Sequence, residues 1–146
     1  MPEVIGIDHI YITVSDLERS TIFYDPLMEV LGFRKKKFTL NNDEHIQYFN
    51  RYFGYVIRPA HSNGRYNSSA PGMHHFCLRV ESKDDVQEAA NRLAEKGIET
   101  SGAKLYPEYA HDYYAVFLKD PDGIEIEITN YRQERQDRHD NWEQIP

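Results

Sequence analysis

Only one cysteine, Cys77, stands in this sequence of 146 residues, so no internal disulfide can staple the fold. That scarcity suits a reducing compartment, and a cytoplasmic location is expected. Long apolar runs are missing as well; none approaches the ~20 residues of a membrane-spanning helix. The opening segment carries Glu3, Asp8, Asp16 and Glu18 in place of an apolar stretch, so no signal peptide is expected. Basic charge is in deficit, with 17 Lys and Arg against 24 Asp and Glu and a net charge of −7. A general nucleic-acid binder needs a basic face, and this chain has none to offer. Its one basic run, Arg34-Lys35-Lys36-Lys37, reads as a solvated strand or turn. A soluble protein with no nucleic-acid or membrane partner is therefore expected.

What is present is a repeat, and a repeat fixes architecture before any single residue does. Asp8-His9-Ile10-Tyr11-Ile12-Thr13-Val14 reads as a strand opening on a histidine, and His74-His75-Phe76-Cys77-Leu78-Arg79-Val80 reads the same way. Each strand leads into a helix that closes on a glycine, Gly32 and then Gly97. Ser15 and Glu18 form a capping box for the first helix, and Asp25-Pro26 predicts a restart within it. Strands are predicted over about 5–14, 33–40, 45–50 and 54–59. The second half predicts them over about 74–80, 98–105, 112–119 and 124–130. Its helix runs from a Ser82 cap to about Lys96.

Halves of roughly 65 residues are marginal alone, so one domain over 1–146 is expected. It would hold a first module over about 4–60, a linker over 61–72 and a second module over about 73–130. A polar tail over 131–146 follows, with Trp142 as its one candidate anchor. The fold class is α+β: two βαβββ modules forming a curved mixed sheet, with helices outside and a concave inner face.

Strand alternation sorts the side chains. Ile10, Ile12 and Val14 belong to the helix side, with Phe76, Leu78 and Val80, and with Ile124, Ile126 and Ile128. His9, His75, Glu125 and Glu127 then point to the opposite, concave face, and parity selects His75 over His74. Carboxylates on an inner face are costly unless paired or metal-bound.

The doubled module, the D-H-I-x-I-x-V opening, His75 and the run Asp120-Pro121-Asp122-Gly123-Ile124-Glu125-Ile126-Glu127 resemble the vicinal oxygen chelate superfamily. That group includes glyoxalase I, extradiol dioxygenases, fosfomycin-modifying transferases, methylmalonyl-CoA epimerase and bleomycin-binding proteins. The resemblance covers about residues 4–130. It implies a divalent metal ion (Fe, Mn, Ni or Zn) held by His9, His75 and Glu127, with positions left open for a small-molecule substrate that chelates through two neighbouring oxygens. It also implies a homodimer. Lyase, isomerase or transferase chemistry is the leading expectation. The alternatives are a bleomycin-resistance-like protein that sequesters a small molecule and an extradiol-type dioxygenase.

Two departures bear on the choice. The last strand of the first half, Tyr55-Val56-Ile57-Arg58, offers no carboxylate where glyoxalase I-like members carry a ligand. Phe117 stands where the extradiol pattern carries a tyrosine. Glu108 and His111 are candidate acid–base groups. Tyr11, Tyr55, Arg58, Arg79, Tyr113 and Phe117 are candidate substrate contacts, the arginines for a carboxylate or phosphonate. Cys77 reads as small packing on the concave face.

Overall fold

A computed structural model describes every residue from Met1 to Pro146. The chain divides into two units, one of Met1–Tyr66 with Asp120–Asp122, the other of Asn67–Lys119 with Gly123–Pro146. Each carries the predicted strand–helix–three-strand order on a four-stranded mixed sheet of its own.

In the first unit, β1 (His9–Val14) is followed by α1 (Leu17–Val30), β2 (Arg34–Leu40), β3 (Asp43–Phe49) and β4 (Gly54–Pro59). The sheet order is β1-β4-β3-β2, with β1 and β4 parallel and the remaining pairs antiparallel. Alternation places Ile12 and Val14 in the core and leaves His9, Tyr11 and Thr13 exposed. The β2–β3 hairpin turns on Asn41 and Asn42, both at positive φ (51° and 66°), with Leu40 paired to Asp43. Two left-handed residues match the strand twist of a two-residue hairpin, and asparagine tolerates that region better than most side chains.

Helix α1 corrects two expectations. Its N-cap is Asp16, whose side chain accepts the Arg19 N–H at 2.9 Å. Ser15 is unavailable for a capping box because its hydroxyl and its N–H both donate to the Asp122 carboxylate, the N–H at 3.0 Å. Nor does the helix restart at Asp25-Pro26; it runs unbroken from Leu17 to Val30 with Pro26 inside. An interior proline costs about 3 kcal/mol through the lost Ile22 carbonyl partner and ring crowding. The next turn offsets that cost by burying Leu27, Met28 and Val30.

Tyr55 also departs from expectation. Its ring is fully buried (0% exposed), and its hydroxyl donates to the Tyr24 hydroxyl at 2.9 Å. Tyr24 in turn donates to Asp120 Oδ2 at 2.8 Å. Tyr55 is therefore a core residue and lines neither the cleft beside His9 nor the one beside His75. Burial above all, and then Tyr55 and Asp120 as neighbours, push the Tyr24 phenol well above its ordinary range.

In the second unit, β5 (His75–Val80) leads through α2 (Lys83–Glu95) to β6 (Lys104–Leu105), β7 (Tyr114–Lys119) and β8 (Glu125–Asn130). The order is β5-β8-β7-β6, with β5 and β8 parallel. Ser82 and Asp85 form a complete capping box at α2. Val86, Ala89, Ala90 and Leu93 fill the core from that helix.

The strand expected over 98–105 contracts to Lys104–Leu105. Gly102 turns the chain at φ +76°, and the Thr100 hydroxyl oxygen accepts its N–H at 3.1 Å. Such local bonds compete with ladder formation. The tail is ordered rather than featureless: α3 (Gln133–Asp140) precedes a 3-10 turn over Trp142–Gln144. Trp142 is 57% exposed and does not anchor it. No helix is long and apolar enough to cross a membrane.

Candidate metal centre

Parallel pairing of β5 with β8 sets His75 opposite Glu125 and Cys77 opposite Glu127. Antiparallel pairing of β7 with β8 sets Phe117 on the other flank of Glu127. With period-two alternation, His75, Cys77, Phe117, Glu125 and Glu127 share one sheet face. All but Cys77 border a cleft of about 570 Å³ that His74, Ser101, Tyr106, Tyr109 and Tyr113 complete.

Glu127 is buried (4% exposed), which is unusual for a carboxylate. Its Oε2 accepts two hydrogen bonds, one from the Tyr113 hydroxyl and one from Cys77 Sγ at 3.0 Å. Its Oε1 lies 3.9 Å from His75 Nε2. That gap is too long for a direct hydrogen bond. An ion at about 2.0–2.2 Å from each atom fits between them once the two close by about 0.5 Å to a tetrahedral angle. One imidazole and one carboxylate are thus spaced as metal ligands, and the residues present fit a divalent ion.

The surroundings keep the two donors protonated. Burial of the sulfur first, and then its hydrogen bond to Glu127, push the Cys77 thiol above its ordinary range. The residue as a whole is exposed, yet its sulfur is enclosed against the carboxylate. Burial and the Glu127 carboxylate likewise raise the Tyr113 phenol. Arg132 opposes both shifts, its guanidinium lying 4.3 Å from the centre of the Tyr113 ring.

His74 and Glu125 belong to this cluster too. Ligand atoms of His74, His75 and Glu125 all lie within 4.8 Å of one another, and the Nδ1 atoms of His74 and His75 are 2.8 Å apart. Strand parity alone sets His74 aside. Parity speaks for residues inside a strand, and β5 begins only at His75.

In the first unit, His9 and Tyr11 border a cleft of about 370 Å³ with Phe38, Gln47, Phe49 and Phe53. His9 Nδ1 is 2.7 Å from Asp8 Oδ2. The Tyr11 ring meets His45 edge-on at 5.6 Å.

The other candidates are engaged elsewhere. Arg58 Nη2 donates to Asp43 Oδ2 at 2.8 Å, and His61 Nε2 lies 2.7 Å from the same oxygen. Arg79 stacks on Tyr131, 3.9 Å from the ring centre. His111 is 89% exposed beside Asp112, and neither it nor Glu108 borders the cleft. Tyr106 and Tyr109, which stack at 5.5 Å, were not foreseen. They sit between strands, where no alternation marks a side chain's direction.

Comparison with known proteins gives a consistent picture. Residues 6–128 match the family model of the Glyoxalase/Bleomycin resistance protein/Dioxygenase superfamily. The uncharacterized protein YqjT of Bacillus subtilis (strain 168) is 30% identical over 125 residues, covering 83% of this chain and 95% of YqjT. The glyoxylase/bleomycin resistance protein/dioxygenase domain from Frankia sp. EAN1pec superposes with a TM-score of 0.72 at 21% identity, over 89% of this chain and 100% of that one, a likeness of fold. The glyoxalase family protein from Enterococcus faecalis gives a TM-score of 0.66 at 25% identity, over 86% of this chain and 97% of that one.

Proposed function

The chain belongs to the Glyoxalase/Bleomycin resistance protein/Dioxygenase superfamily, and from that membership we propose that it is a small metalloenzyme acting on a substrate with two neighbouring oxygens. His9, His75 and Glu127 are its metal ligands in this reading, and Fe, Mn, Ni or Zn suits such a donor set. A bound divalent ion supplies Lewis-acid stabilisation of negative charge that develops on substrate oxygen. The observation that carries the reading is the 3.9 Å separation of His75 Nε2 from Glu127 Oε1 beside an open cleft.

The chain's own groups have distinct tasks. Tyr106, Tyr109 and Phe117 give the cleft an aromatic wall, suited to a flat organic body. Tyr113 holds a proton on its hydroxyl against the buried carboxylate. It is better placed for proton exchange at the cleft than Glu108 or His111. Lyase, isomerase or transferase chemistry is favoured, in a cytoplasmic homodimer.

A bidentate oxygen probe tests this. A simple hydroxamate should bind the Co(II)-loaded protein and fail to bind the metal-free protein or Glu127→Gln. Equal binding in all three would favour a sequestering protein that needs no metal.

A further inference from the structure

Each residue proposed as a ligand has its far atom already occupied. In both modules the residue just before the histidine does this: Asp8 Oδ2 lies 2.7 Å from His9 Nδ1, and His74 Nδ1 lies 2.8 Å from His75 Nδ1. The third case is Glu127, whose Oε2 is taken by Tyr113 and Cys77. We propose that Asp8, His74 and Tyr113 are positioning residues, each engaging the rear atom of one proposed ligand and leaving that ligand's front atom (Nε2 of His9, Nε2 of His75, Oε1 of Glu127) to bind metal.

The proton inventory follows. A histidine that binds metal through Nε2 keeps a lone pair there, so its proton sits on Nδ1. His9 Nδ1–H then donates to the Asp8 carboxylate. His75 Nδ1–H donates to His74 Nδ1, which accepts, and the His74 proton rests on its own Nε2. A hydrogen bond behind an imidazole fixes its tautomer and ring orientation and raises its basicity. At Glu127 the two donors make Oε2 a poor ligand and dispose the carboxylate to bind through Oε1 alone. His74 thereby has a use that differs from direct ligation: it lies behind His75, whose Nε2 faces Glu127.

The repeat serves this purpose twice with different chemistry. An anionic acceptor stands behind His9 and a neutral imidazole behind His75. Asp8 is almost fully exposed, with its side chain at 96% of full accessibility, and His74 is exposed as well. Removing either leaves the core untouched.

This inference rests on the proposed ligand set, and Co(II) titration of the purified metal-free protein separates the two. Asp8→Ala, His74→Ala and Tyr113→Phe should each weaken Co(II) about 10–100-fold, the usual effect of such partners. His74→Gln, whose amide oxygen can accept from His75 Nδ1–H, should recover much of the loss. Cu(II) electron paramagnetic resonance should show the same imidazole nitrogens in His74→Ala as in the wild type. Wild-type Co(II) affinity in all three variants, with binding abolished in His75→Ala, would overturn the inference and leave the function standing. Loss of a nitrogen coupling in His74→Ala together with weaker binding in Glu125→Gln would overturn it too, by making His74 a ligand. Failure of the wild type to bind Co(II) at all would sink both.

Discussion

Glu127 and His75 do not stand directly opposite one another; Glu127 pairs with Cys77 across the β5–β8 ladder, and His75 reaches it diagonally, Nε2 to Oε1, over 3.9 Å. The offset keeps the imidazole nitrogen and the carboxylate oxygen from closing on each other as an ordinary ion pair. It also lets Cys77 and Phe117 flank the carboxylate within its own row of the sheet.

Burial of a carboxylate at 4% exposure is costly unless its oxygens are satisfied. Tyr113→Phe removes one donor from Oε2 and leaves Cys77. The half-buried setting of Tyr113 lets water replace part of the loss. We expect destabilisation of about 1–2 kcal/mol, in the lower range for hydrogen bonds to charged groups, read from urea unfolding of the metal-free protein.

The buried chain Tyr55–Tyr24–Asp120 makes a larger demand. Tyr24→Phe deletes an acceptor for Tyr55 and a donor to Asp120 in one step. Losing two buried hydrogen bonds, one of them to a carboxylate, predicts a loss of about 2–3 kcal/mol in urea unfolding. Alkali tests the same chain. The folded state holds the Tyr24 and Tyr55 phenols protonated far above the ordinary range, chiefly by burial, whereas the unfolded chain releases those protons near pH 10. Their contribution is therefore intact below pH 10 and falls as pH rises beyond it. Absorbance titration should show these tyrosines ionising only as the protein unfolds.

Pro26 gives a prediction of opposite sign. Pro26→Ala restores an N–H to the middle of α1 and should raise the urea midpoint. The gain is less than the full ~3 kcal/mol, because proline also restricts the unfolded chain. A lowered midpoint would show that the ring contributes packing that outweighs the missing bond.

Much of the fold was legible because strand alternation and paired helix signals report on local geometry. Ile12, Val14, Ile126 and Ile128 point inward as their parity requires. What failed depended on distant partners. Ser15 reads as a cap until Asp122, remote in sequence, takes its hydroxyl. Tyr55 reads as cavity lining until Tyr24 and Asp120 satisfy it in the core. At the candidate site, the repeat pointed to His75 and the D-P-D-G motif to Glu127. Tyr113 took on its particular partner only in three dimensions, and α3 has too polar a sequence for its periodicity to show.

That helix supplies a pH test. The Asp112 carboxyl is held below its ordinary range, first by the Gln133 N–H at the start of α3, at 3.1 Å, with nearby His111 and Lys83 adding to the effect. A carboxylate with a lowered folded pKa stabilises above the unfolded value, about 3.9, and that support is lost as pH falls through the folded one. Trp142, the only tryptophan, follows α3 and reports on it by fluorescence. Its signal should change below about pH 4 in the wild type. Asp112→Ala, which removes the acceptor, should show the altered signal already at neutral pH.

Metal content is the most direct measurement of the central claim. The wild type, His75→Ala and Glu127→Gln would be purified without chelator and assayed by inductively coupled plasma mass spectrometry. Stoichiometric divalent metal in the wild type, falling to trace levels in both variants, is the predicted result. Metal that is substoichiometric in the wild type and unchanged in His75→Ala would contradict it.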